Sequence, residues 1–175
     1  MIYRFRIVLD TLEDVFRDIE IDQNDNLEDF HNAITQAFGF EGNEMAAFYI
    51  SDDEWNQGEE ISLFDVSEGQ DSVRIMNETL IDTVVSKQQT KLIYVYDFLD
   101  MWTFYVELAD IVEPENGIIY PHLMYSHGIM PETPPEKKFE SEDLSDDHDF
   151  FDDDDFRDNH IDLDDLDNID FEQWN

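Results

Sequence analysis

Period-two alternation of apolar residues near the N-terminus constrains the fold more than any other feature of this sequence. In the first run the apolar residues share one face, and they are Tyr3, Phe5, Ile7 and Leu9. In the second run one face holds Val15, Arg17, Ile19 and Ile21. Successive side chains of a β-strand point to opposite faces, so each run fits a strand. The short segment 10–14 between them predicts a β-hairpin.

A helical period follows the hairpin. Asp25, with Glu28 three residues later, has the spacing of a capping box and indicates a helix N-terminus. The helical apolar positions are Leu27, Phe30, Ala33, Ile34, Ala37 and Phe38. Gly39 favours a stop at the C-terminal end. A second helix is expected from Asn77, with an apolar stripe at Leu80, Ile81, Val84 and Val85.

The remaining apolar runs predict strands. Short runs at 45–50 and 61–64 fit two strands, and the alternating runs 91–98 and 102–108 fit a hairpin that turns near Leu99 and Asp100. The expected order is ββ-α-ββ-α-ββ. This order predicts a single α+β domain over residues 1–136, with helices packed on a largely antiparallel sheet. The stretch from 113 to 136 contains too few periodic apolar residues to predict an element.

The charge of the chain excludes some partners and favours others. There are 46 acidic and 9 basic residues, a net charge of −37. A field of this sign repels nucleic-acid phosphates and attracts basic proteins, so duplex nucleic-acid binding is not expected. No cysteine is present, which excludes a disulfide framework and a thiolate nucleophile. No signal peptide or membrane-spanning run is evident, so we expect a cytoplasmic protein without membrane contact.

Residues 137–175 predict an acidic, disordered, low-complexity tail. From residue 139 onward there are 17 acidic residues and one basic residue, with single large hydrophobic residues between the acidic clusters. Such alternation is typical of segments that fold on a partner. Phe171 and Trp174 are therefore candidate binding residues, either for a basic protein partner or for the chain's own folded domain. The aspartates do not match the EF-hand pattern, so weak divalent cation binding is the most that they predict, and no cofactor is expected.

The sharpest chemical combination is Asp97, Asp100 and His31. Two carboxylates three residues apart, with an imidazole, can hold a divalent cation or act as acid and base. The competing interpretation is structural. Asp97 and Asp100 would then cap backbone N–H groups in the hairpin turn, and His31 would be a satisfied residue at the edge of the core. Ionisable clusters are only probabilistic markers of a site, which favours the structural interpretation.

Three further candidates have weaker support. Trp102 can stack a ring, but its alternation with neighbouring aromatic residues favours core packing. Arg17 can recognise an anion, or it can pair with one of the many carboxylates. His122 and His127 are five residues apart, which is not the helical spacing of a zinc site, so loop histidines are expected.

Several motifs resemble the plasmid pRiA4b ORF-3-like family, also called insertion-element passenger TnpR proteins. The family's opening Tyr-x-Phe-x-Ile-x-Leu is present at 3–9, and its Trp-Arg pair is Phe16-Arg17 here. A helix that begins Leu-x-x-(Leu/Phe)-His and ends in aromatic-Gly-aromatic occupies 27–40. The specific Tyr-Asp-Phe-Gly-Asp-x-Trp motif is matched at 96–102, and Pro-Pro-Glu recurs at 134–136. The resemblance covers about residues 1–136.

The resemblance implies a fold but little chemistry. The motif glycine is Leu99 here, and a His-Leu-His-x-Phe segment of many relatives is replaced by 44–48, so most of any histidine site would be lost. A resolvase is excluded, because the acidic chain has no basic arm and no helix-turn-helix. The leading hypothesis is an uncharacterised, non-enzymatic acidic protein-interaction module from a bacterial plasmid or mobile-element context, with mimicry of nucleic-acid charge as its narrower form. The alternative is a metal-dependent enzyme that uses Asp97, Asp100 and His31.

Overall fold

A computed structural model describes residues 1–69 and 72–136. The strands in this part are β1 (Ile2–Leu9), β2 (Phe16–Asp22), β3 (Ala46–Ser51), β4 (Gln57–Ser62), β5 (Arg74–Ile75), β6 (Lys91–Tyr96), β7 (Trp102–Val112) and β8 (His122–His127). The helix α1 (Leu27–Phe38) follows β2, and two 3₁₀ turns cover Met76–Glu78 and Ile81–Thr83. The strands form one sheet in the order β5-β4-β3-β6-β7-β1-β2-β8. All neighbours are antiparallel except β4 and β5, which makes the sheet mixed.

The predicted fold class is wrong. Instead of two helices in a ββ-α-ββ-α-ββ order, the described part of the chain has one α-helix against a large mixed sheet. The expected second helix is replaced by the two 3₁₀ turns, because backbone groups that a continuous helix would pair internally bond instead to residues at the start of α1. Leu27 N donates to Thr79 O at 2.9 Å, and Ile81 N donates to Asp25 O at 3.0 Å. No side chain caps the N-terminus of either turn.

The stretch 113–136 also differs from expectation, since it contains β8. This strand pairs with β2 at the edge of the sheet, and nearly all of its residues are exposed. An exposed edge strand buries neither face deeply, so it lacks the apolar alternation by which strands are recognised in sequence.

The first hairpin and α1 are confirmed, with the helix start displaced by one residue. Asn26 is the N-cap: its side chain accepts from Asp29 N at 2.9 Å, and the Asp29 carboxylate accepts from Asn26 N at 3.3 Å. Gly39 ends the helix with φ of 79°, a left-handed conformation that glycine adopts without strain.

The core lies between α1 and the inner face of the sheet. Tyr3, Phe5, Ile7 and Leu9 are all buried on this face, as the alternation predicts. Phe30 of α1 contacts Phe5 and Phe48, with ring centroids 4.6 and 5.5 Å apart. The amphipathic helix and central strands therefore bury one continuous apolar layer.

The outer face of the sheet pairs its few cations with carboxylates directly across the strands. Arg4 bonds Glu20 at 2.7 Å, and Arg6 bonds Asp18 at 2.8 Å. Lys91 bonds Glu107 at 3.1 Å. Because residues opposite each other on neighbouring strands are close, these pairs help to fix the register. Most carboxylates in residues 1–69 and 72–136 take part in no ion pair.

Candidate functional site

His31 is a core residue. It is 2% exposed, and 2.7 Å separates its Nδ1 from the phenol oxygen of Tyr94, which is fully buried. Burial lowers the pKa of His31 to about 4 and raises that of Tyr94 well above its usual range. A neutral imidazole already hydrogen-bonded to Tyr94 is poorly placed to exchange protons with a substrate.

Asp97 organises the β6–β7 turn. Its backbone has a φ of 61°, and its Oδ1 accepts from Leu99 N at 3.1 Å and from Asp100 N at 3.4 Å. Asp100 is exposed in the same turn. Short polar side chains tolerate the left-handed region because they bond the local backbone. This geometry matches the structural interpretation for Asp97, whereas Asp100 contributes its backbone N–H, which donates to Asp97.

The structure does not bring the three predicted residues together as a metal site. In residues 1–69 and 72–136, no group of three or more His, Asp or Glu side chains is arranged to hold a metal ion. His122 and His127 occupy the two ends of β8 rather than a loop. Phe171 and Trp174 lie outside the described residues.

Trp102 packs in the core, as its alternation indicates. It is 7% exposed and stands opposite Tyr96, and its ring contacts that of Phe40 at 5.3 Å. A ring that is 7% exposed offers little surface to a ligand.

Arg17 has a structural role that the sequence did not reveal. It is buried and takes part in none of the ion pairs of the described residues. Its guanidinium donates to Phe16 O at 2.8 Å, His127 O at 2.7 Å and Ala37 O at 3.1 Å, and it lies 4.9 Å from the Phe38 ring centroid. Burial lowers its pKa. Arg17 therefore joins β2, β8 and the last turn of α1, where carbonyl groups carry partial negative charge.

A groove of about 630 Å³ lies between α1 and the start of β8, and we call it the α1–β8 groove. Its α1 side is lined by Asp25, Asp29, Asn32, Ala33, Gln36 and Ala37. The opposite side is lined by Tyr120, Pro121, His122 and Leu123, and Ile19 of β2 also contributes. None of these lining residues is Lys or Arg.

Helical spacing explains the polar side of the groove. Asp29, Ala33 and Ala37 recur every four residues and therefore lie along one flank of α1, with Asn32 and Gln36 beside them. The two alanines are only half-buried, and their small side chains leave room between the helix and β8. The carboxylates lie at one end of the flank, near the helix N-terminus.

The carboxylates at the acidic end of the groove repel one another. Partial burial raises the pKa of Asp25, and the nearby charges of Asp29 and Asp22 raise it further. An incoming cation relieves this like-charge repulsion, so the groove favours positively charged groups.

Sequence reasoning missed the groove because one of its two sides belongs to β8. The four-residue spacing of Asp29, Ala33 and Ala37 indicates only one flank of a helix. The other side depends on pairing between Ile19 and Leu123, which are 104 positions apart. No local sequence pattern predicts that contact.

In the described residues, the fold defines a class of domain in which one α-helix packs against a large mixed sheet. The α1–β8 groove lies between that helix and an edge strand. The sequence profile of the plasmid pRiA4b ORF-3-like protein family matches residues 1–162, and the chain belongs to this family. The matched range continues past Glu136, where the recognisable motifs end. Comparison with curated proteins gives no match.

A solved structure has a similar fold. It is the crystal structure of a protein of unknown function from Methanosarcina mazei Go1, with a TM-score of 0.63 and 19% sequence identity. The similarity covers 71% of this chain and 68% of that chain. At this identity the likeness shows the fold alone. In the described part of this chain, no helix is long and apolar enough to cross a membrane.

Proposed function

We propose that this protein is a non-enzymatic interaction module that binds a basic segment of a partner protein in the α1–β8 groove. The observation that carries the proposal is the composition of the groove. Asp25 and Asp29 offer negative charge, Asn32 and Gln36 offer amide groups, and Ile19 with the two alanines offers apolar surface. Lysine and arginine combine an aliphatic stem with a cationic head, so their side chains match this mixture.

The charge of the whole domain supports the same partner. Residues 1–69 and 72–136 contain 28 acidic and 6 basic residues. Four of the six bases, Arg4, Arg6, Arg74 and Lys91, form ion pairs, and Arg17 is held by carbonyl groups. The large excess of carboxylates gives a negative field that accelerates association with basic proteins.

An enzymatic role has no comparable support. His31 is held in the core by Tyr94, and the Asp97 carboxylate accepts from its own turn. The groove's polar groups are separate from all three residues of that hypothesis.

Two finer parts of the proposal rest on sequence and family. The family's name refers to a plasmid, which favours a partner encoded on the same kind of element. In the narrowest form of the proposal, the partner is a DNA-binding protein, and this acidic surface occupies its basic cleft. The acidic segment after residue 137, with Phe171 and Trp174, would add charge and apolar contacts to the same cytoplasmic partner. The narrow form predicts that the partner's affinity for duplex DNA falls in competition.

The test is a titration of the full chain with labelled octalysine, and with octaglutamate as the negative control. The parent should bind octalysine with an affinity that weakens as salt is raised, because charge attraction is screened. The double variant Asp25→Asn/Asp29→Asn should lose about tenfold in affinity, equivalent to about 1.4 kcal/mol. Asparagine keeps an acceptor for the helix cap, so the fold should be retained.

The matched control is Glu44→Gln/Glu54→Gln. It removes two exposed carboxylates that flank β3, and neither of them lines the groove. Its affinity should stay within about twofold of the parent. Equal losses in the two variants would mean diffuse attraction to the whole surface and would refute the groove.

A further inference from the structure

Five large hydrophobic side chains are exposed at one end of the sheet. They belong to three loops, and we call them the apolar tip: Leu12, Phe98, Leu99, Met101 and Ile129. Leu12 is 99% exposed, Leu99 93% and Ile129 89%. Side chains this exposed add little to the core, so folding does not explain why they are hydrophobic.

Strand pairing places the first two loops side by side. Leu9 at the end of β1 stands opposite Phe104 near the start of β7. Asp10 N, in the β1–β2 loop, donates to Thr103 O at 2.9 Å, directly beside the β6–β7 turn. Leu12 and the turn 97–101 therefore project from the same end of two adjacent strands.

Gly128 brings the third loop to the same place. It follows β8 with a φ of 79°, and a Cβ atom there would collide with Asp14 O and lie 2.9 Å from Val15 Cα. Only glycine allows the chain to pass this close to the β1–β2 loop. Ile129 is the next residue, so it emerges beside that loop.

The β6–β7 turn presents its hydrophobic residues in a fixed conformation. Asp97 and Met101 have φ values of 61° and 55°; the Asp97 side chain supports this conformation, but it is unfavourable for Met101. The turn is closed by Met101 N, which donates to Asp97 O at 2.6 Å, and the Asp97 carboxylate holds Leu99 N. A strained, closed turn with an exposed leucine near its apex suits a binding surface.

The surroundings of the tip define the chemistry of its partner. The segments 10–15, 97–101 and 128–130 contain five carboxylates and no Lys or Arg. These carboxylates repel a second copy of the chain and an anionic membrane, and they attract a basic surface. We propose that the apolar tip docks on an amphipathic basic segment of a protein, whose apolar side chains cover the tip while its lysines or arginines face the carboxylates.

This surface goes beyond the proposed function, because no tip residue lines the α1–β8 groove. The test uses the full chain and two amphipathic peptides of about 14 residues, long enough for a marginal helix. One contains leucine and lysine at helical spacing, and the other has alanine at every leucine, so that their charges are equal. The parent should bind the leucine peptide at least about tenfold more tightly than the alanine peptide.

The variant Leu12→Ser/Leu99→Ser should lower that preference to about one, since both side chains are nearly fully exposed and their loss should not disturb folding. The control Ile119→Ser/Met124→Ser removes two exposed hydrophobic residues, one before β8 and one within it, and should keep the preference. Asp25→Asn/Asp29→Asn should keep it as well, which separates this inference from the groove proposal.

Two outcomes would overturn the inference. One is a preference for the leucine peptide that survives in Leu12→Ser/Leu99→Ser. The other is concentration-dependent dimerisation of the parent, measured by sedimentation, that this variant abolishes, because a second copy would then cover the tip.

Discussion

His31 of α1 and Tyr94 of β6 are joined across the core, with 2.7 Å between the Nδ1 atom and the phenol oxygen. Both side chains are buried, so neither can exchange its partner for water. This hydrogen bond ties the α-helix to a central strand of the sheet. It also accounts for a histidine that the sequence offered as a candidate for catalysis.

Tyr94→Phe should destabilise the protein by about 1–3 kcal/mol, because it leaves the buried His31 Nδ1 without a partner. Urea unfolding at pH 7.5 measures the change. Tyr125→Phe is the matched control, since Tyr125 is about half exposed on β8 and should alter stability by less than about 0.5 kcal/mol. Equal effects of the two substitutions would contradict the structural role of the bond.

The stability contributed at His31 should depend on pH. Its folded-state pKa is about 4, below the value of about 6.5 for an unfolded histidine. The unfolded state therefore binds the proton first as the pH falls, and the free energy of unfolding decreases between about pH 6.5 and 4, by at most about 3 kcal/mol.

Urea unfolding of the parent and of His31→Gln, from pH 7.5 to pH 4.5, isolates this contribution. The carboxylates titrate in both proteins and largely cancel in the difference. The advantage of the parent over the variant should shrink as the pH falls. A difference that stays constant across the range would show that His31 does not titrate as its burial requires.

Arg17→Lys should cost about 2 kcal/mol of stability. Lysine keeps the charge but cannot reach three separated carbonyl groups with one planar fork. Ala37 O, Phe16 O and His127 O would then lose their donor. Arg6→Lys is the control, because Arg6 pairs with Asp18 on the exposed outer face, where such pairs are worth at most about 1 kcal/mol. A smaller loss of stability in Arg17→Lys than in Arg6→Lys would contradict the structural role of the Arg17 hydrogen bonds.

Asp25→Asn should raise the melting temperature at pH 7. Burial and the charges of Asp29 and Asp22 raise the pKa of Asp25, which means that its ionised form destabilises the folded state. A raised carboxyl pKa makes stability fall as pH rises through the range just above the ordinary aspartate value. Thermal unfolding at pH 7 and pH 4 should show that the gain from Asp25→Asn is larger at pH 7. A melting temperature of Asp25→Asn below that of the parent at pH 7 would contradict repulsion among the carboxylates at this end of the groove.

The parts of the fold with strong local patterns were predictable from the sequence. Tyr3 to Leu9 alternate, and they form β1 with one buried face. Gly39 ends α1, as glycine after an amphipathic run indicates. The helix predicted from Asn77 is not formed. The apolar spacing there is helical, but two of the segment's backbone groups pair with Asp25 and Leu27 instead of continuing a helix. Hydrogen bonds to residues distant in sequence determine the conformation of this segment, and they override its local helix propensity.

The candidate sites were less predictable. The structural interpretation of Asp97 as a turn residue agrees with the structure, since aspartate often caps the N–H groups of a turn. For Arg17 the sequence suggested anion recognition or pairing with a carboxylate. In the structure it binds carbonyl groups of β8 and α1 that become neighbours only in the folded chain. The α1–β8 groove has the same origin, because Ile19 and Leu123 meet through an edge strand with no sequence pattern of its own.

The central claim is that the α1–β8 groove receives a basic segment. Amide chemical-shift mapping of the isotope-labelled full chain during titration with octalysine tests it most directly. The account predicts saturable shifts concentrated at Asp29, Asn32, Ala33, Gln36 and Leu123, and their loss in Asp25→Asn/Asp29→Asn. Shifts of equal size at carboxylate-bearing turns such as 52–54, or no saturable shift along α1, would contradict it.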